Sequence, residues 1–449
     1  MQGGAPARAR QLATAALLAG ACGSSPPQLP ADGGSDGAAT QGPTTGGPAD
    51  PPPATSTSGA ATTAVDSSGG PATTATSSGG MSTGESSGGA VPVVCEGAQG
   101  HCHTPLPAQM IAGQRLETLA TGDLDGDGFD DVVLGDNNTN SVIVLLSDGA
   151  GGLIEHQTAP TGASGLRDVV VADFDGDGDL DVATANEGSQ SVAVLVGTGD
   201  GLLAFDASIQ AGFYSPRALA AGDLDGDGAL DLVTGLAVVP GFSVRMGPDL
   251  ARANPPFFSL SANPDEVSLG QAGGDALPDV VAATRGGDRV WIVPGLPAGN
   301  FDPGATVQFN HNIAIDAHLA DVDADGLTDV IAVADSAIHV HAGVGVGEFD
   351  NADTVYPLSQ GIRAAAFADI NLDGHPDVVV ATDGTEDIAF ALGAADGTFG
   401  PPVSFPYMVN FYDVALGDLN GDGALDAVAC ARNEVLVAVV LSATTTGPG

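Results

Sequence analysis

The ten residues Gly122 to Asp131 read Gly-Asp-Leu-Asp-Gly-Asp-Gly-Phe-Asp-Asp, and this acidic phrase returns six more times along the chain. Close copies begin at Asp173 and Asp223, and variants begin at Asp321, Asp369 and Asp418. A degenerate copy begins at Gln271, where Gln271 and Gly273 replace the first two acids while Asp275 and Asp279 remain. Successive starts lie 50, 50, 48, 50, 48 and 49 residues apart. Spacing this regular means one supersecondary unit copied and stacked, each copy burying its apolar surface against the next.

Each copy reads as four strands. A run of small residues such as Arg217-Ala218-Leu219-Ala220-Ala221 leads into the acidic loop, and Asp231-Leu232-Val233-Thr234 leads out. A β-branched run follows, as in Ser141-Val142-Ile143-Val144, then a Gly-rich turn and a fourth strand. Seven four-stranded units with no helical period predict an all-β, seven-bladed propeller, with the small-residue strand at the crowded axis. The seventh copy stops after its third strand near Leu441, while Thr104 to Gly113 precedes the first loop with no blade to claim it. That surplus is expected to pair with the last blade and close the ring, leaving no free sheet edge.

The Asp-x-Asp-x-Asp-Gly-x-x-Asp loops, together with turns such as Gly345-Val346-Gly347-Glu348-Phe349, resemble the FG-GAP/VCBS repeat family, including the integrin α-subunit propeller. The resemblance covers residues 104 to about 441. It implies a seven-bladed propeller with calcium in the loops joining the first two strands of a blade. It implies no single activity, because propellers host adhesion, lectin-like binding and catalysis.

The loop chemistry points to calcium independently. Calcium takes roughly six to eight hard oxygen ligands at about 2.3–2.6 Å in flexible geometry. Acids at loop positions 1, 3 and 5 can converge on one point, a Gly at 6 permits the sharp turn, and the acid at 9 can reach in from the next strand. The ligand set so read is Asp123, Asp125, Asp127 and Asp131; Asp173, Asp175, Asp177 and Asp181; Asp223, Asp225, Asp227 and Asp231. It continues with Asp321, Asp323, Asp325 and Asp329; Asp369, Asn371, Asp373 and Asp377; Asp418, Asn420, Asp422 and Asp426. Solvated acidic turns without a cation are the plainer reading. They fail on energy: carboxylates about 4 Å apart repel by roughly 4 kcal/mol per pair even at an effective dielectric of about 20. Six ions are expected, and none in the Gln271 copy.

Charge excludes some partners. Eleven basic residues stand against 56 acidic ones, a net charge of −45, so neither nucleic acid nor an anionic lipid surface is a partner. The first 21 residues read as an export signal: Arg8 and Arg10, an apolar run from Leu12 to Ala21, then Cys22. Small residues followed by Cys resemble a bacterial lipobox that would make Cys22 a lipidated N-terminus, although plain cleavage after Ala21 fits the same residues. Residues 22–94 are almost wholly Gly, Ser, Thr, Pro and Ala with no apolar period, a disordered tether. The propeller is expected over 95–443, with a tail at 444–449. Cys95 and Cys102 suggest a local disulfide in an exported chain, and Cys430 a buried thiol.

Function is less constrained. No nucleophile elbow, Walker loop or dinucleotide fingerprint occurs. His339 and His341 face one way on a strand, either as a metal pair or as two packed neutral imidazoles, the plainer reading. Trp291 reads as packing between blades. Chain direction puts Arg167, Arg217 and Arg363, each six residues before a loop, on the face opposite the acidic loops, with Phe213, Tyr214, Tyr407 and Phe411. Either these arginines pair with acids such as Asp288, Glu386 and Glu434, or they form a ligand face. A monomeric binding or adhesion module for a glycan or protein, with structural calcium, is therefore expected. A calcium-assisted polysaccharide lyase or hydrolase is the alternative, with His375 the one basic side chain inside a loop.

Overall fold

The computed structural model describes residues 93–96 and 101–444, apart from 211–214, 249, 251–255, 273, 275–276, 285–288, 303, 305, 312–313, 335 and 384–386. The export signal, Cys22 and almost all of the tether lie outside the described residues, as do Phe213, Tyr214, Arg285, Asp288 and Glu386.

The described residues form a seven-bladed β-propeller of antiparallel blades. Blade 1 runs outward through Leu116–Gly122, Asp131–Asp136, Ser141–Ser147 and Leu153–Pro160. Blades 2 to 6 repeat this order, with first strands at Leu166–Ala172, Pro216–Gly222, Glu266–Gly270, Ala314–Ala320 and Ile362–Ala368. Blade 7 takes Phe411–Gly417, Asp426–Ala431 and Leu436–Thr444 from the C-terminal end of the chain.

Every described residue of the seven second strands is buried. Blades stacked face to face cover both sides of that strand, so it reads as a continuous apolar run without alternation. Seven apolar clusters result among the described residues, each drawn from two neighbouring blades. Trp291 is buried in the cluster shared by blades 3 and 4, as its packing role required. Cys430 is a free, buried thiol between blades 7 and 1.

The N-terminal segment closes the ring, and it does so more extensively than the surplus at Thr104 suggests. His101–Pro105 pairs with the last strand, Cys102 opposite Ala443 and Thr104 opposite Leu441, and Gln109–Met110 pairs with it further along. A further strand, Val94–Glu96, pairs with His101–Pro105 outside it, so blade 7 carries an extra edge strand. Cys102 is disulfide-bonded, and Cys95 stands directly across the ladder from it.

Candidate metal centres and axial cavity

Each acidic loop is a tight turn built on its own side chains. In blade 1, Asp123 Oδ2 accepts the Gly128 N–H (3.0 Å), Asp125 Oδ1 accepts from Asp127 N (3.2 Å), and Asp127 Oδ1 accepts from Phe129 N (2.9 Å). Asn371 Oδ1 and Asn420 Oδ1 accept from Asp373 N and Asp422 N at 2.9 Å each, so Asn keeps an oxygen where the other copies have a carboxylate. Two loop positions take left-handed backbone. At position 4, Gly126, Gly176, Gly226 and Gly421 have φ of 73–79°, while Ala324 and Leu372 hold the same turn at 58° and 59°. The loop shape therefore survives loss of that Gly, at a strain of roughly 1 kcal/mol.

In four of the six loops, among the described residues, three of the four expected ligands gather. Asp123, Asp125 and Asp127 offer oxygens within 4.8 Å of one another, as do Asp173, Asp175 and Asp181; Asp223, Asp225 and Asp231; and Asp321, Asp323 and Asp325. Asp123 Oδ1 is buried with no hydrogen-bond partner, the kind of orphaned anion that a cation would satisfy. These clusters can hold metal ions such as calcium.

The acid at loop position 9 has a second role. Asp131 accepts from Leu124 N through Oδ2 and from Ser147 N through Oδ1, both at 2.9 Å. The same clamp recurs at Asp181, Asp231, Asp329, Asp377 and Asp426. It also recurs at Asp279 in the degenerate copy, at 2.6 and 2.7 Å. Each carboxylate oxygen retains a lone pair for an ion, but a bidentate grip would compete with two backbone donors. Burial, joined by the neighbouring loop acids, pushes Asp131 and Asp377 up to about 7 and Asp426 to about 8.

At the other end of the first strands lies an axial cavity of about 280 Å³ lined from all seven blades. In six of these strands a register shift falls at the residue six before the loop. Such a bulge lets two successive side chains face the axis. The outer layer holds Glu117, Arg167, Arg217, Asp265, Arg363 and Tyr412; the layer below holds Thr118, Asp168, Glu266, Asp316 and Asp413.

The inner carboxyls stitch blades together. Asp168 accepts from Thr118 Oγ1 of blade 1 (3.1 Å) and from Leu219 N of blade 3 (2.7 Å), and Asp413 accepts from Leu119 N across the seam (2.9 Å). Enclosure by the blades, and then one another's charge, pushes Asp168 and Asp316 up to about 7. Enclosure raises Asp413 to about 6 and Glu266 well above the usual range.

The three arginines meet at this cavity, and each is paired there. Arg167 binds Glu187 at 2.5 Å, Arg217 reaches Asp265 of the next blade at 3.0 Å, and Arg363 pairs with Asp383. Glu117, fully buried, also draws in Arg115 at 2.7 Å and Arg432 at 2.5 Å. Glu434 forms none of these three pairs, and Asp288 and Glu386 lie outside the described residues. Tyr407 and Phe411 do not line the cavity; they stack edge to face between blades 6 and 7.

An all-β propeller with an Asp-rich loop after the first strand of six of its seven blades is a recognisable class, and comparison finds its repeats in the chain. The FG-GAP-like repeat model matches residues 123–184, 173–234, 321–380 and 369–429, leaving the Gln271 loop unmatched. The chain is a seven-bladed β-propeller that carries FG-GAP-like repeats over residues 123–234 and 321–429. No curated protein sequence matches it. Among solved structures, BBS1N in complex with ARL6DN, soaked with mercury, is similar at 11% identity and TM-score 0.55, covering 76% of this chain and 97% of that one. The same complex soaked with lead gives 11% and 0.54, covering 77% and 98%. These likenesses concern the fold alone.

Proposed function

We propose that the chain is an exported, monomeric binding or adhesion module that presents its axial cavity to a glycan or protein partner, with six structural calcium ions in the loops. The observation that carries this reading is the convergence of Arg167, Arg217 and Arg363 on one cavity, their side chains still 32–40% exposed although paired. Exposed ion pairs are weak in water, so an incoming carboxylate or sulfate can displace a resident acid and take the bidentate fork. The carboxyl layer beneath accepts hydrogen bonds from hydroxyl groups, which suits an anionic glycan.

Replacing Arg167, Arg217 and Arg363 together with Gln is expected to abolish binding to immobilised anionic polysaccharides while leaving calcium-dependent melting intact. Unchanged binding rules the face out. Anchoring through lipid on Cys22 accords with the lipobox-like residues; Cys22→Ser would then release the protein from the membrane fraction, and an unlabelled wild type after fatty-acid labelling would decide for simple secretion.

The second reading, a polysaccharide-degrading enzyme, draws support from the inner layer. Carboxyls held near neutrality, such as Asp168 and Asp413, are what acid–base cleavage of a glycosidic bond requires. Release of reducing ends or unsaturated product from the same polysaccharides would favour it over the binding module.

A further inference from the structure

The outer part of blade 5 gathers three histidines and an acid that the sequence holds far apart. His311 follows the outer strand of blade 4 (Val307–Asn310), His339 and His341 lie on the third strand of blade 5 (Ala337–His341), and Asp353 precedes its outer strand (Thr354–Pro357). His311 and His341 are buried, and Asp353 is exposed. One ligand atom from each of His311, His341 and Asp353 lies within 4.8 Å of the other two. The His311 ring is 4.5 Å from that of His339 and 5.0 Å from that of His341.

Hydrogen bonding sets the tautomers. His341 Nδ1 lies 3.1 Å from the Asp350 carbonyl oxygen, which can only accept, so Nδ1 carries the proton and Nε2 presents its lone pair. That lone pair faces His311 Nε2 at 2.8 Å. His339 Nδ1 donates to Asp353 Oδ2 at 2.5 Å, and its own Nε2 is buried with no hydrogen-bond partner. An imidazole whose far nitrogen is tied to a carbonyl, beside a carboxylate oriented by another imidazole, is the outer-shell arrangement of metal-ligating histidines.

We propose that His311 Nε2, His341 Nε2 and the Asp353 carboxylate bind a divalent transition metal of the zinc type, with His339 as the positioning residue that orients Asp353. Nitrogen donors exclude calcium and magnesium, which take oxygen, so this site is chemically distinct from the acidic loops. Two nitrogens on a tetrahedral zinc stand about 3.3 Å apart, so the two rings would separate by roughly half an ångström on binding. The metal would bridge the closing segment of blade 4 to blade 5, replacing the single His311–His341 contact with a shared ion.

The test uses the full chain with calcium at about 1 mM to fill the acidic loops, titrated with Co²⁺ as a spectroscopic probe and with Zn²⁺ in competition. One equivalent with visible ligand-field bands, displaced by zinc, is expected from the wild type. Asp353→Asn and His341→Gln should each weaken binding at least tenfold, and His339→Gln by about 10- to 100-fold. Should His341→Gln fail to fold, because that ring stacks on Phe309 at 3.7 Å, Asp353→Asn decides, since its side chain is exposed. Absence of a one-equivalent site in the wild type, or equal affinity in Asp353→Asn, overturns the proposal.

Discussion

Asp418, the first acid of the blade 7 loop, donates its N–H to the Asp130 carboxylate at 2.8 Å and accepts the Asp130 N–H at 2.9 Å. The pair ties the last loop to the first across the seam where the ring closes. In the other six copies the residue corresponding to Asp130 is Leu, Pro or Thr, as at Leu180, Pro278 and Thr328, so the acid belongs to the seam. Asp130→Ala removes the side-chain acceptor and leaves Asp418 N–H without it. A loss of about 1–2 kcal/mol is expected in denaturant melts; an unchanged midpoint would mean the reciprocal bond contributes nothing to closure.

Truncation tests the seam from its other side. A chain beginning at Gln114 lacks His101–Pro105 and Gln109–Met110, exposing the edge of Leu436–Thr444 and the apolar residues beneath it. It should melt well below the full chain and tend to aggregate through that edge. Equal melting of the two chains would show that blade 7 stands without its N-terminal strand.

Calcium should raise the melting temperature over the millimolar range, and chelator should lower it, because ions that bind the folded state alone stabilise it by mass action. Leu372 sharpens this expectation. It holds φ 59° and is 54% exposed, where Gly126, Gly176, Gly226 and Gly421 stand in other copies. Leu372→Gly should relieve roughly 1 kcal/mol of backbone strain, partly offset by the freer unfolded chain. Calorimetric calcium titration of the variant should therefore give equal or tighter binding at that blade, and weaker binding would contradict the strain argument.

The inner acid layer predicts a pH dependence. Asp168, Asp316 and Asp413 are raised to about 7, 7 and 6 in the folded protein, above about 4 in the unfolded chain. Folded protein therefore holds protons that unfolded chain has released, and their stabilising contribution is fully present below about pH 4 and lost as pH rises to about 7. At constant saturating calcium, Asp168→Asn with Asp413→Asn should flatten the fall in melting temperature between about pH 5 and 8. A wild-type curve that rises over that interval, or a variant with the same slope, would refute it.

Much of this was legible in the sequence, for a physical reason: the repeat forces like positions to do like work. Blade number, loop placement and the closing strand follow from spacing alone. The double duty of the position-9 acids carried a signal, since Asp279 persists where the acids at positions 1 and 3 are gone. The inner acid layer also carried one, in Asp168, Glu266, Asp316 and Asp413 recurring five residues ahead of their loops. The bulge that turns Arg167 and Asp168 to one side has no signature in residue type. Contacts between blades, such as Arg217 with Asp265 or His311 with His341, depend on rotations between units that the linear spacing does not encode.

The extra edge strand gives the molecule a handle. The chain enters the ring through Val94–Glu96, so tension applied from its N-terminal side would arrive first at that short ladder. Hydrogen bonds along such a ladder yield one after another under load, whereas the disulfide at Cys102, in the middle pair, does not. Force would then pass into Leu436–Thr444 and be shared by the apolar packing on either side of blade 7. The seam is therefore both the place where the ring is shut and the point at which a pull on the N-terminal side would enter it.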